Sequence, residues 1–193
     1  MVGRVIEGSS ASQEEVLRGL LDVGAKLYAC RDRQEMLDTI LAQARAVTRA
    51  EAGSLYLIDG KYLRFVAVQN DRLDAHEIAL HLLGHRMPLS MASLSGYVAL
   101  TGNIADIPDS ASPPPGLPFR INRDFDDRTG YRVSSILAIP LRCPDGECVG
   151  VLQLLNRLDE QGKPAPFATP VDSAIISLAS MAATSLHNFS LRE

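Results

Sequence analysis

Two apolar runs in this chain are each folded back by a turn containing Asp-Gly, and no other feature narrows the fold as much. Ser54-Leu-Tyr-Leu-Ile58 leads into Asp59-Gly60 and returns through Tyr62 to Gln69. Ser135 to Arg142 leads into Pro144-Asp145-Gly146-Glu147 and returns through Cys148 to Leu155. Asp-Gly between apolar segments signals a hairpin, because glycine takes the positive φ that a tight reversal needs. Strands joined this way are antiparallel. Alternation places Ser54, Tyr56 and Ile58 on one face of their strand and Leu55 and Leu57 on the other.

Helical periods bracket the hairpins. Ser12 and Glu15 form a capping pattern, and Val16, Leu20, Val23 and Leu27 follow at helical spacing, which predicts a helix over 13–30. Asp32 and Glu35 start a second helix with Met36, Leu37, Ile40, Leu41, Ala44 and Val47 along one face. Ser93 to Gly102 reads as a short helix ended by its glycine. Ile104 to Ile107 is a brief strand. Thr169 caps a last helix, with Pro170 at its first position, Asp172 in its first turn and Val171, Ile175, Leu178, Ala182 and Leu186 as its apolar face. Residues 70–92 are ambiguous between the two periods. Pro108, Pro113, Pro114, Pro115 and Pro118 make 108–120 a loop, 159–166 is another, and Asp124 to Gly130 suits a helical turn. The class is α+β, with a central antiparallel sheet and terminal helices. Residues 1–11 read as a disordered lead-in and 12–193 as one domain.

Composition excludes several functions. Of 193 residues 46% are hydrophobic and 22% charged, which suits a globular domain with a sizeable core. A net charge of −4 favours neither nucleic acid nor an anionic membrane. No apolar run is long enough to span a bilayer, and the N-terminus has no secretory apolar region. Three cysteines do not make a disulfide framework, so the expected compartment is the cytoplasm.

Three segments, in this order, resemble GAF domains, in particular the regulatory ones of cyclic-nucleotide phosphodiesterases and bacterial adenylyl cyclases. They are Ser93-Leu-Ser-Gly-Tyr-Val-Ala-Leu-Thr-Gly102 with Ile-Ala-Asp-Ile-Pro-Asp109; Asn122-Arg-Asp-Phe-Asp-Asp-Arg-Thr-Gly-Tyr131 running into Ile136-Leu-Ala-Ile-Pro140; and Gly150-Val-Leu-Gln-Leu-Leu-Asn-Arg157. The resemblance implies helices on one face of the sheet and a ligand pocket on the other. It also implies a homodimer formed through the first and last helices, and an output domain beyond Glu193.

Carried over residue by residue, the resemblance places Leu94 and Ser95 in the pocket, and Asn122, Asp126 and Thr129 around the purine and ribose of a cyclic nucleotide. Asp126 and Thr129 equally suit the capping of a helical turn. Ser54, Gln69 and Asn70 stand where relatives touch ligand. Val133 replaces a frequent Thr and Gln153 a frequent Glu, so another small metabolite, or no ligand, stays open. Gly96 suits close approach of a ligand or tight packing. Asn156, Arg157, Phe167 and Asp172 resemble a structural Asn-Lys…Phe…Asp-Glu signature, with Arg157 for Lys and Ser173 for Glu.

On a helix His81 and His85 would share a face, but no further residue completes a metal set, and no cofactor is expected. Cys143 and Cys148 flank the second turn and would face each other across a two-residue loop. A free methionine-sulfoxide reductase of GAF fold needs a pocket thiolate, which a hairpin end supplies poorly. The expected protein is therefore no enzyme. It is a small-molecule sensor whose 108–133 segment forms a lid, or else a ligand-free dimerisation and relay domain.

Overall fold

The computed structural model describes residues 8–167 and 173–190. In chain order its elements are helix α1 (Gly8–Ala29), α2 (Arg33–Thr48), strands β1 (Ala50–Asp59) and β2 (Tyr62–Asn70), α3 (Ala75–Leu82), β3 (Arg86–Pro88), α4 (Leu94–Thr101), β4 (Ala105–Ile107), α5 (Asp124–Thr129), β5 (Ile136–Arg142), β6 (Cys148–Leu158), β7 (Pro164–Ala165) and α6 (Ser173–Ser190). The strands form one curled antiparallel sheet in the order β3-β2-β1-β6-β5-β4, with β7 beside the end of β6. The fold is α+β, with helices flanking the sheet.

Local signals explain most boundaries. Asp32 accepts a hydrogen bond from the Glu35 amide and Glu35 accepts one from the Arg31 amide, both at 2.8 Å, so α2 starts on a reciprocal cap. The first hairpin closes through Gly60 and Lys61, with Asp59 opposite Tyr62 and Gly60 at φ 59. α1 begins at Gly8, so residues 8–11, expected to be a disordered lead-in, are helical; extending a formed helix needs only one more bond per residue. Thr169, Pro170, Val171 and Asp172 lie outside the described residues, as do the side chains of Val16 and Leu20.

The 70–92 stretch holds α3 and β3. The α3 start is capped by Asp74, whose carboxylate accepts from the His76 amide at 3.0 Å. α3 is only eight residues long; it buries Ile78 and leaves Leu80 70% exposed. The second hairpin also departs from expectation. Cys143 pairs its amide with the Glu147 carbonyl, and Cys148 stands opposite Arg142, so the two cysteines do not face each other. A bulge between Leu141 and Arg142 shifts the register. Both thiols are free, and burial pushes both up from their ordinary values.

The sheet divides two cores. Leu55 and Leu57 of β1, Leu137, Ile139 and Leu141 of β5 and Leu152 and Leu154 of β6 pack under α1, α2 and α6. Tyr56, Ile136, Ala138 and Val151 point to the other side, against α4 and Phe119. Gly53 lets α2 lie close on the sheet, because a Cβ there would sit 2.9 Å from Leu41 Cδ1. The described apolar residues of the terminal helices, Val23, Leu27, Ile175, Leu178, Ala182 and Leu186, are buried in this first core. They therefore cover their own sheet, and the homodimer that the resemblance implies would need other side chains of these helices. The large apolar side chains left outward are Leu21 and Tyr28 on α1 and Ile176 on α6. Among the described residues no helix is long and apolar enough to cross a membrane.

Candidate functional site

On the sheet face away from the terminal helices lies a cavity of about 630 Å³. Its floor is the outward alternation of the central strands: Ser54 and Tyr56 of β1, Phe65 of β2, Ile136 of β5, and Gln153 and Leu155 of β6. Ser54 and Gln153 are register partners across β1 and β6. Gln153 Oε1 accepts hydrogen bonds from the Tyr56 hydroxyl at 3.1 Å and from Ser95 Oγ at 2.9 Å. Ser95 is 4% exposed, so this polar centre joins the first turn of α4 to the sheet. Burial pushes the Tyr56 phenol above its usual range, against hydrogen bonds to Ser95 and Ser54 that pull it down, so it stays neutral. Tyr56 and Phe65 meet at 4.3 Å between centroids, tilted by 54°, and give the floor an aromatic patch.

The roof comes from α3, the start of α4 and the segment around α5. Leu94 and Ser95 border the cavity directly after Ser93, whose Oγ caps α4 by accepting from the Gly96 amide at 3.1 Å. Gly96 serves packing: a Cβ there would stand 2.1 Å from the Ser90 carbonyl oxygen. Ile78, His81 and His85 border the opposite side, from α3 and the turn after it. Asn122, Asp126 and Val133 form a third side. Asp126 Oδ2 accepts from the Val133 amide at 3.2 Å, and burial raises its carboxyl above the ordinary range. Asp126 also borders a second hollow of about 360 Å³, together with Arg123, Asp127 and Tyr131.

The structure thus brings Ser54, Leu94, Ser95, Asn122, Asp126, Val133 and Gln153 to one cavity. Gln69 and Asn70 border it too, but their side chains are engaged elsewhere. Gln69 stands opposite Gly53, on the helix side of the sheet, donating to the Asp38 carbonyl at 3.0 Å and accepting from Arg45 at 3.2 Å. Asn70 Oδ1 accepts from the Arg72 and Leu73 amides and shapes the turn after β2. Thr129 does not line the cavity: it is exposed, and its hydroxyl accepts from the Tyr131 amide at 3.2 Å at the end of α5.

The 108–133 segment is pinned in several places rather than free along its length. The Ser110 amide donates to the Ser134 carbonyl at 2.7 Å, its hydroxyl to the Val133 carbonyl, and Arg123 donates to the Ser110 carbonyl. The Arg120 amide donates to the Ala92 carbonyl at 2.9 Å, and buried Phe119 packs on Tyr97 at 5.1 Å. Between these anchors Ala111 to Gly116 is exposed.

Asn156 is buried at φ 54 in β6, donating to Glu51, Tyr131 and the Arg132 carbonyl and accepting from the Ser134 amide. The neighbouring Arg157 donates to the Pro166 carbonyl at 3.2 Å, while Asp172 of the same expected signature lies outside the described residues. Glu51, Arg72 and Tyr131 were not singled out by sequence. The available signal was Glu51 itself, a lone carboxylate in the run Ala50-Glu-Ala-Gly53 that opens a buried strand.

The family model for the GAF domain matches residues 32–186. The chain is 27% identical over 165 residues to the probable 3',5'-cyclic phosphodiesterase pde-5 of Caenorhabditis elegans, a match covering 81% of this chain and 21% of that protein. The chain thus spans about a fifth of that relative's length. Its fold is similar to the GAF domain of a phosphoenolpyruvate-protein phosphotransferase from Coxiella burnetii, with TM-score 0.70 and 17% identity over 93% of this chain and 96% of that one. It is also similar to the free methionine-R-sulfoxide reductase of Neisseria meningitidis, solved with its substrate, with TM-score 0.65 and 16% identity over 100% of both chains.

Proposed function

Because the chain belongs to the GAF domain family, we propose that it is a regulatory, non-catalytic sensor module that binds a small molecule in the cavity on its sheet and passes the occupancy of that site to its helices. The observation that carries this reading is the cavity itself. Its volume, about 630 Å³, lies in the ordinary range for small-ligand sites, and its apolar lining carries a few convergent polar groups. Ligands with a flat ring fit the Tyr56–Phe65 patch, with Asp126 to accept an N–H and Ser54, Ser95 and Gln153 as further partners.

A cyclic nucleotide is the first candidate, supported by likeness to a protein named as a cyclic phosphodiesterase. Against it, Val133 offers no hydroxyl, and the Gln153 carbonyl already receives two hydroxyls. Other purine nucleotides and small metabolites therefore belong in the same trial. Calorimetry with cAMP, cGMP, further purine nucleotides and a metabolite panel tests the proposal. Saturable heat from at least one compound, lost in Asp126→Ala, is expected. No heat and no thermal shift with any of them would sink it.

The relay is proposed to run through a cytoplasmic homodimer, with any output domain beyond Glu193. Exposed Leu21 and Tyr28, seven residues apart on α1, are the observation favouring a helix-to-helix contact. A reductase reading gains no support: Cys143 and Cys148 stand at the second hairpin, and no cysteine borders the cavity.

A further inference from the structure

One polar cluster joins the cavity wall to the helix layer. Glu51 is 4% exposed, and both of its carboxylate oxygens are occupied. Oε1 accepts from Arg72 Nε at 2.6 Å; Oε2 accepts from the Tyr131 hydroxyl at 3.0 Å and from Asn156 Nδ2 at 3.1 Å. Asn156 also donates to the Arg132 carbonyl at 2.9 Å and accepts from the Ser134 amide at 2.6 Å. Residues 131–134, which carry Val133 into the cavity wall and through its amide hold Asp126, are thus fixed onto Glu51 and Asn156.

The main chain of Glu51 faces the other way. Its carbonyl accepts from Arg45 Nη2 at 2.8 Å and from the Asp71 amide at 3.1 Å. Arg45 belongs to α2 and also pairs with Asp71 at 2.5 Å. The turn after β2 therefore touches α2 through Asp71 and reaches the wall through Arg72 and the Glu51 carboxylate. In the same turn Asp74 caps α3, a second side of the cavity. A buried carboxylate with every partner in place is costly to disturb at one point only, so the cluster holds or releases its contacts together.

We propose that Glu51, with Tyr131, Asn156 and Arg72 as positioning residues, couples the Tyr131–Ser134 wall of the cavity to the C-terminal turn of α2, so that loosening either side loosens the other. The use of this coupling in signalling rests on the sensing function proposed above, but the coupling itself is measurable without ligand.

The test is hydrogen–deuterium exchange on the full chain, comparing wild type with Tyr131→Phe, Arg72→Gln and Ser110→Ala. Tyr131→Phe removes one hydroxyl and keeps the ring. It should speed exchange about tenfold, the factor that one net hydrogen bond corresponds to, in 131–135 and also in 45–51 and 69–74. Arg72→Gln, altered on the opposite side, should speed exchange in 131–135, as reciprocal coupling requires. Ser110→Ala, which loosens the same wall through Val133 without touching the cluster, should speed exchange in 69–74 as well. Strands β5 and β6 serve as the check that each variant stays folded. The proposal is overturned if Tyr131→Phe acts only within 131–135, if Arg72→Gln leaves 131–135 unchanged, or if Ser110→Ala speeds exchange in 131–135 and leaves 69–74 unchanged. If the coupling appears while calorimetry finds no ligand, the sensing function fails and the coupling stands.

Discussion

Two carboxylates near the cavity behave in opposite ways, and the contrast is testable. Burial disfavours the charged form of Glu51, but hydrogen bonds from Arg72, Asn156 and Tyr131, with the charge of Arg72, outweigh it and bring its pKa below the ordinary 4.5. A depressed carboxylate contributes stability that is present above its unfolded value and lost as pH falls through the folded one. Thermal midpoints should therefore drop between pH 4.5 and more acid values in wild type, and Glu51→Gln should flatten that drop. Equal acid slopes in the two proteins would refute the assignment. At neutral pH Glu51→Ala leaves buried Tyr131 and Asn156 short of a partner, at a cost of about 1–3 kcal/mol in denaturant unfolding. Asp126 is shifted the other way, chiefly by burial, so its native state is penalised as pH rises past the unfolded value. Asp126→Asn keeps an acceptor for the Val133 amide and removes the charge. It should be at least as stable as wild type at pH 7 while binding ligand more weakly, a separation that melting and calorimetry on one sample can check. Asp126 was legible because the resemblance carried it. Glu51 was not, because a single acid in a strand acquires meaning only from partners far along the chain, at Tyr131 and Asn156.

Elements were legible where their own signals were complete. The caps of α2 and α4 lie on side chains within one turn of the helix start, and the first hairpin on adjacent residues, so local sequence suffices. β3 and β7 were not read, because Arg86–Pro88 and Pro164–Ala165 carry nothing like the two isoleucines that marked β4, and both exist by pairing with β2 and β6. α3 was hidden by its length of eight residues inside an ambiguous stretch, and the Cys143–Cys148 register by a bulge that residue types do not announce. For Gly96, either close ligand approach or packing fitted the sequence, and the distance to the Ser90 carbonyl decides for packing. Gly96→Ala forces backbone apart and should cost about 1–3 kcal/mol, comparable with other overpacked sites. A melting temperature within a degree of wild type would contradict that placement.

At the scale of the whole molecule, antiparallel order and two-sided burial followed from alternation, whereas the use made of the terminal helices did not. An apolar helical stripe reads alike whether it covers its own sheet or a second copy. Here the stripes of α1 and α6 cover their own sheet, which leaves Leu21 and Tyr28 outward. If these make the proposed homodimer, Leu21→Glu with Tyr28→Glu should sediment as monomer with little change in melting, since exposed substitutions usually shift stability by about 0.5 kcal/mol or less. A wild-type monomer at high micromolar concentration would end the dimer reading. The alternation of β1 has a wider consequence. Neighbouring residues of one strand answer to separate demands: Leu55 and Leu57 to the helices, Ser54 and Tyr56 to whatever enters the cavity. Such a domain can acquire a new chemical preference, by drift or by design, while the machinery that reports on it is left intact.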